Sequence, residues 1–191
     1  MCPTVRQRDI QKQRRNASPT EQEKITEDIY ETLCDSCQLF GSPFAASHID
    51  VSDLYMPEEE WNGIIQVRDG VAIDRDSEKA KDRLKYDFEV VPASATFKLE
   101  IILENATPQD LQLICVGLSE YVNGFGVIGG KRSRGLGACE LRDLKVSSLE
   151  LTGINESERN RRLRDFLLKR HFPDEVSGPE FLEKHIDAIF A

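Results

Sequence analysis

The sequence predicts an α+β domain, ferredoxin-like in its order of elements, and three stretches carry that prediction. Tyr86, Phe88 and Val90 alternate with Asp87 and Glu89, and Phe97, Leu99, Ile101 and Leu103 alternate with Lys98, Glu100, Ile102 and Glu104. A period of two turns one side of each stretch inward, as in half-buried strands joined around Pro92-Ala93-Ser94. Thr107-Pro108 then opens a helix, with Thr107 as cap and Pro108 in the first turn. Its Leu111, Ile114, Cys115, Leu118, Tyr121 and Val122 share one face at helical spacing, and Gly124 stops it. Ile128 leads into a glycine-rich loop, after which 138–146 alternates as another strand. Strand, helix, loop and strand in this order form the second half of a ferredoxin-like fold.

At 191 residues the chain is long enough for one domain with a full core. With 31% charged and 39% hydrophobic residues it reads as a soluble globular protein. No apolar run is long enough to cross a bilayer, and Met1-Cys2-Pro3-Thr4-Val5-Arg6 has no hydrophobic signal core, so a cytoplasmic location without membrane partners is expected. Five cysteines, an odd number, point to reduced thiols. The net charge of −9 would repel nucleic acid if it were spread evenly. Cations are grouped instead: Arg6, Arg8, Lys12, Arg14 and Arg15 near the start, Lys131 to Arg134, and Arg159 to Arg164.

Taken in order, residues 1–20 are basic and poor in apolar anchors, and a loosely ordered, flexible segment is expected there. Ser18, Pro19 and Glu21 form a capping box that starts a helix, with Ile25, Ile29, Leu33 and Tyr30 as its apolar stripe. Cys34 and Cys37 have zinc-ligand spacing, but a closed site needs two more ligands, for which only Cys2 and His48 offer themselves. Two packed thiols at a helix end are the plainer alternative, and no cofactor is assigned. Residues 48–55 alternate as a strand with Ile49, Val51 and Leu54 inward, and His48 reads as a polar strand end, with no second histidine to pair it. Residues 56–63 are an acidic loop holding Trp61, which reads as a core or lid anchor sooner than as a base-stacking platform. From about 64 to 86 the pattern is strand, charged tip, strand: a surface hairpin. Residues 151–191 read as a helical appendage, a basic amphipathic helix over 157–168 and a second over 179–190.

The loop is the stretch with chemistry to offer. Gly129-Gly130-Lys131-Arg132-Ser133-Arg134-Gly135-Leu136-Gly137 packs four glycines and three cations into nine residues. Glycine allows positive φ and a close backbone approach, so such a loop can turn N–H groups toward one anion. Lys131, Arg132 and Arg134 add charge where that anion would sit, and a phosphate chain is the natural guest. A solvated basic turn is the plainer alternative. It is not a Walker A loop, since no Gly-Lys-Ser/Thr end opens a helix.

This nine-residue run resembles the signature glycine-rich loop of the RAMP superfamily of CRISPR RNA-binding proteins. Three more stretches agree in order. Cys34-Asp35-Ser36-Cys37-Gln38-Leu39-Phe40-Gly41-Ser42 is similar to that family's Cys-x-x-Cys-x-Leu-Phe-Gly segment. Val67-Arg68-Asp69-Gly70-Val71-Ala72-Ile73-Asp74-Arg75 and Tyr86-Asp87-Phe88-Glu89-Val90-Val91-Pro92 resemble the middle of the repeated backbone subunit of type III effector complexes. The resemblance runs from about Leu33 to Val146, and implies a ferredoxin-like (RRM-like) RAMP domain over 21–150 with a thumb insertion at about 64–86. It implies an antiviral RNA-binding subunit that holds guide RNA against target RNA beside other RAMP subunits. RNA contacts would come from Gly129, Gly130, Lys131, Arg132, Ser133, Arg134, Gly135 and Gly137 in the loop and from Arg68, Asp74 and Arg75 on the thumb.

Two family features are not found. A ferredoxin-like domain needs a strand before its first helix, and nothing before residue 21 reads as one, so a truncated paralogue or a strand supplied by a partner is expected. The family's target-cleaving Asp is also not recognisable, so no catalytic residue is assigned and the chain leans toward a non-enzyme. The alternative is an RNA endonuclease that cuts target RNA or trims the guide precursor. For it Asp53 and Asp74 are the carboxylates on offer, and no histidine is persuasively placed.

Overall fold

The computed structural model describes residues 4–60 and 63–191. Cys2 and Trp61, considered above as a metal ligand and an anchor, lie outside them. The chain divides into two compact units: one joins the residues up to His48 with Glu104–Ala191, and the other is Ile49–Leu103. The architecture is α+β. Among the described residues the strands pair two by two, always antiparallel. The four pairs are not joined into one sheet.

The Ile49–Leu103 unit holds two of these pairs. Strand β1 (Ile49–Val51) pairs with β4 (Ile101–Leu103), Ile49 opposite Leu103 and Val51 opposite Ile101. A Ser52 N–H to Glu100 carbonyl bond of 3.0 Å and a bridge between Tyr55 and Lys98 extend this pairing. Two expected strands are thus shorter than their alternation suggested. Only Ile49 of the three residues expected inward is buried; Val51 and Leu54 are exposed. The pair is too short and narrow to carry a covered face along its length. The remainder is the expected hairpin, β2 (Gln66–Ile73) against β3 (Ala80–Val90), with a register irregularity between Val71 and Ile73. Tyr86, Phe88 and Val90 belong to its returning strand and not to a separate one.

The other unit begins with helix α1 (Thr4–Arg15), where a loosely ordered segment was expected. Between Pro3 and Asn16 the segment contains no glycine or proline, and its glutamines, lysine and arginines are good helix formers. Helix α2 (Pro19–Thr32) follows the predicted cap: the Glu21 carboxylate accepts from the Ser18 N–H at 2.9 Å and from its hydroxyl at 2.6 Å. These donors hold the Glu21 carboxyl below its ordinary pKa. Ile29 of the predicted stripe is buried, Ile25 and Leu33 are half-buried, and Tyr30 is exposed. A short α3 (Asp35–Leu39) buries Leu39 completely.

Helix α4 (Pro108–Val122) is the centre of this unit. Thr107 caps it, Gly124 follows it at φ +77°, and Ile114 and Cys115 form its buried face. Burying a side chain such as that of Ile114 stabilises by roughly 1.5–3 kcal/mol. Cys115 is fully buried, and burial pushes its thiol pKa up to about 11. Cys139 is half-buried.

After α4 come β5 (Gly126–Val127) and β6 (Ala138–Cys139), paired with each other. The strand expected over 138–146 is therefore split. Asp143 takes a left-handed conformation (φ +53°), and the chain resumes as β7 (Lys145–Ser148). The Leu141 N–H bonds to the Tyr121 carbonyl of α4 (2.9 Å), which draws the backbone off the β5 ladder.

Helix α5 (Glu156–Lys169) is capped by Asn155, whose side chain accepts from the Glu158 N–H at 2.9 Å. The appendage expected at 151–191 also supplies a strand. Here β8 (Asp174–Ser177) pairs with β7, and α6 (Gly178–Phe190) packs against α4 with Leu182 buried. Gly178 is required where it stands: its N–H bonds to the Leu144 carbonyl at 2.9 Å, and a Cβ would collide with the Leu144 side chain and carbonyl.

Candidate nucleic-acid interface

The glycine-rich loop is the connection of the β5–β6 hairpin. Its base is fixed twice. The Ile128 N–H bonds to the Gly137 carbonyl at 2.8 Å, and a Cβ on Gly137 would collide with the Ile128 carbonyl oxygen. Gly137 also sits at φ +89°, a region costly to any residue with a Cβ. On the helix side Gly126 is buried against the Tyr121 ring, with no room for a side chain. Gly137 thus closes the base of the hairpin, and Gly126 seats that base on the C-terminal turn of α4.

Above this base every residue from Ile128 to Gly135 is exposed. A single 3₁₀ turn, Arg132–Arg134, forms the tip and is bracketed by left-handed residues, Lys131 (φ +62°) and Gly135 (φ +74°). The tip is internally bonded: the Arg134 N–H reaches the Lys131 carbonyl (2.9 Å) and the Gly135 N–H the Arg132 carbonyl (3.0 Å). Two of the N–H groups expected to face an anion are therefore engaged within the loop. The Arg132 guanidinium donates to the Val127 carbonyl at 3.1 Å and braces the tip against its own strand. Lys131 and Arg134 are exposed at the tip, beside Ser133 and Gly130. The result is a cationic protrusion on a fixed base, with all three cations exposed and Arg132 also bracing the strand.

Arg68, Asp74 and Arg75 belong to the other compact unit. Arg68 is exposed on β2, directly opposite Phe88 of β3. Asp74 begins the hairpin turn, and its carboxylate accepts from the Asp76 N–H (3.1 Å), the Ser77 N–H (3.1 Å) and the Ser77 hydroxyl (3.2 Å). These bonds hold its carboxyl below the ordinary value, the Ser77 N–H contributing most. Asp74 is thus a turn-former, and Arg75 is presented exposed within the turn that it shapes.

Cys34 is the N-cap of α3 and Cys37 lies within it, both half-buried. Among the described residues no group of three or more His, Cys, Asp or Glu side chains is placed to hold a metal ion. One constellation escaped the sequence reading. His48 Nδ1 lies 2.9 Å from the buried Asp110 carboxylate, and Nε2 lies 3.5 Å from the Tyr30 hydroxyl. The partners are separated by 62 and 18 residues, so no local pattern signals them.

A family model for the RAMP superfamily matches residues 8–140. The chain belongs to the RAMP superfamily. The match covers the glycine-rich loop, the hairpin and α2 to α4 together, and membership gives the protein a CRISPR-associated, RNA-binding role in general terms. No curated protein matches the chain. Among the described residues no helix is long and apolar enough to cross a membrane.

Proposed function

We propose that this RAMP protein is a non-enzymatic RNA-binding subunit of a type III CRISPR effector, holding guide RNA alongside other RAMP subunits. The observation that carries the proposal is the tip of the β5–β6 hairpin, a cationic loop on a fixed base within a chain of net charge −9. Positive charge confined to a built protrusion suits a defined phosphate chain held at a few points; it gives little non-specific affinity. Arg68 and Arg75 on the β2–β3 hairpin would add contacts to the guide RNA, and base pairing would choose the sequence. A cytoplasmic location and an antiviral role follow from the same proposal.

The test is to purify the tagged chain gently from its native source with everything it holds. Small RNAs sharing one constant end, together with further RAMP subunits, are expected. Exchanging the chain for a Lys131→Gly, Arg134→Ala variant, which spares the Arg132 brace, should lower the RNA retained. Unchanged retention would remove the loop from the mechanism.

A second reading, RNA cleavage, has one observation in its favour. The Asp110 carboxylate fixes the Nδ1 proton of His48 and turns Nε2 toward Tyr30. An imidazole held in that way suits proton transfer. Cleavage by the assembled complex that is lost in His48→Gln would promote this reading over the first. The same side chains also have a structural account, since Asp110 caps α4.

A further inference from the structure

The β2–β3 hairpin has two chemically distinct faces, set by the pleat and the register. Neighbouring side chains along a strand point to opposite sides, and directly paired residues share a side. Val67, Asp69 and Val71 therefore share one face with Glu89, Asp87 and Lys85. That face carries three carboxylates, one of them, Asp69, ion-paired to Lys85 at 3.1 Å. The opposite face pairs Gln66 with Val90, Arg68 with Phe88 and Gly70 with Tyr86. It bears a guanidinium and two rings and no carboxylate.

The rings are arranged by Gly70. The far end of the Tyr86 ring leans across the strand pair onto the Gly70 Cα, where even a Cβ would collide with it, and Gly70 is buried beneath. Phe88, two residues along, has its ring centroid 6.2 Å from that of Tyr86 with the planes inclined by 31°. A glycine in mid-strand weakens a hairpin, so its place here is explained by the ring it accommodates. Tyr86 keeps 37% of its surface exposed, and Arg68 is exposed beside Phe88.

We infer that this face is a base-stacking platform for single-stranded RNA: Tyr86 and Phe88 receive nucleobases, and Arg68 meets the phosphate that joins them. The inference rests on the RNA-binding role proposed above and adds where bases, as distinct from phosphates, are held. Rings with a guanidinium between bases and backbone are what single-stranded nucleic acid requires. The occupant is indicated by charge. Over the six pairs from Gln66–Val90 to Val71–Lys85, in a chain with 34 acidic residues, the strand alternation puts all three carboxylates on the other side. A face cleared of carboxylates within an acidic chain suits a polyanion.

The test compares two oligomers with equal numbers of phosphates, an oligoadenylate and its abasic counterpart, titrated into the full chain at low salt. The expected result is at least about fivefold tighter binding of the oligoadenylate. The Tyr86→Leu, Phe88→Leu variant should lose that preference and bind both oligomers as the wild type binds the abasic one. The exchanged pair Tyr86→Phe, Phe88→Tyr keeps two rings and should keep the preference, which separates stacking from damage to the hairpin. Lys131→Gly with Arg134→Ala should weaken both oligomers alike. Binding of both oligomers without preference in the wild type, or a preference surviving in the double Leu variant, would overturn the platform alone. No binding of either would overturn the platform, and the RNA-binding proposal falls with it only if the gently purified chain also retains no RNA.

Discussion

His48 Nδ1 lies 2.9 Å from Asp110 Oδ2, and that one oxygen also accepts the N–H and the hydroxyl of Thr107, both at 2.9 Å. Asp110 thus does two jobs with one atom. It closes the capping box of α4 from the third helical position, and it ties the helix start to the residue that precedes β1. Only 3% of Asp110 is exposed, so removing the carboxylate strands three donors at a site that water scarcely reaches. Asp110→Ala is expected to destabilise this unit by about 1–3 kcal/mol. Urea unfolding followed by circular dichroism reads it, and a loss below about 0.5 kcal/mol would contradict the account.

The same carboxylate sets a pH dependence. Burial pushes the Asp110 pKa up, but the Thr107 N–H, the His48 ring and the Thr107 hydroxyl outweigh it and leave the carboxyl below its ordinary value. A depressed folded-state pKa gives stability that is present above the unfolded value, about 3.9, and lost as pH falls through the folded value. The gap in melting temperature between wild type and Asp110→Asn should be full at neutral pH and shrink below about pH 4. A gap that stays constant under acid would show that Asp110 gains nothing from its charge.

The glycines of the loop should differ sharply. Gly137 combines φ +89° with a backbone oxygen where its Cβ would stand, and Gly137→Ala is expected to cost more than about 1 kcal/mol. Nothing crowds Gly130, whose φ is not positive, so Gly130→Ala should change stability by less than about 0.5 kcal/mol. Paired thermal melts decide it. Lys131 sits at φ +62°, where glycine is easier, so Lys131→Gly should not lower stability although it removes a cation.

If Lys131 and Arg134 contact phosphates, each should contribute to the salt dependence of RNA binding. Removing either should reduce the slope of log affinity against log salt by about 0.7. Arg132→Ala should instead loosen the tip by freeing the Val127 carbonyl, with a stability loss of about 0.5–1.5 kcal/mol. Equal effects of all three substitutions on slope and stability would refute the division between brace and contacts.

Cysteine reactivity should follow burial. Cys115 is fully enclosed with its thiol pKa raised to about 11, so it should resist alkylation at neutral pH until the protein unfolds. Cys34, Cys37 and Cys139 are half-buried and should react sooner. Mass-resolved labelling in native and denaturing buffer separates the two groups.

The sequence by itself determined the elements whose signals are local. Ser18 with Glu21, Thr107 with Pro108 and Gly124 fixed the ends of α2 and α4, because caps and left-handed stops act within one helical turn. The glycines and cations of 129–137 announced an exposed basic turn, and the order of four short blocks was enough to indicate the family. Tertiary structure decided what depends on distant partners. The alternating run 138–146 is broken because Leu141 bonds to α4. Strand β8 carries a single half-buried apolar residue, Val176, and becomes a strand only because β7 lies beside it. His48 meets Asp110 across 62 residues, and Tyr86 settles on Gly70 only once the hairpin has paired. Local rules see a few residues either way, and burial and pairing across the chain are set by packing.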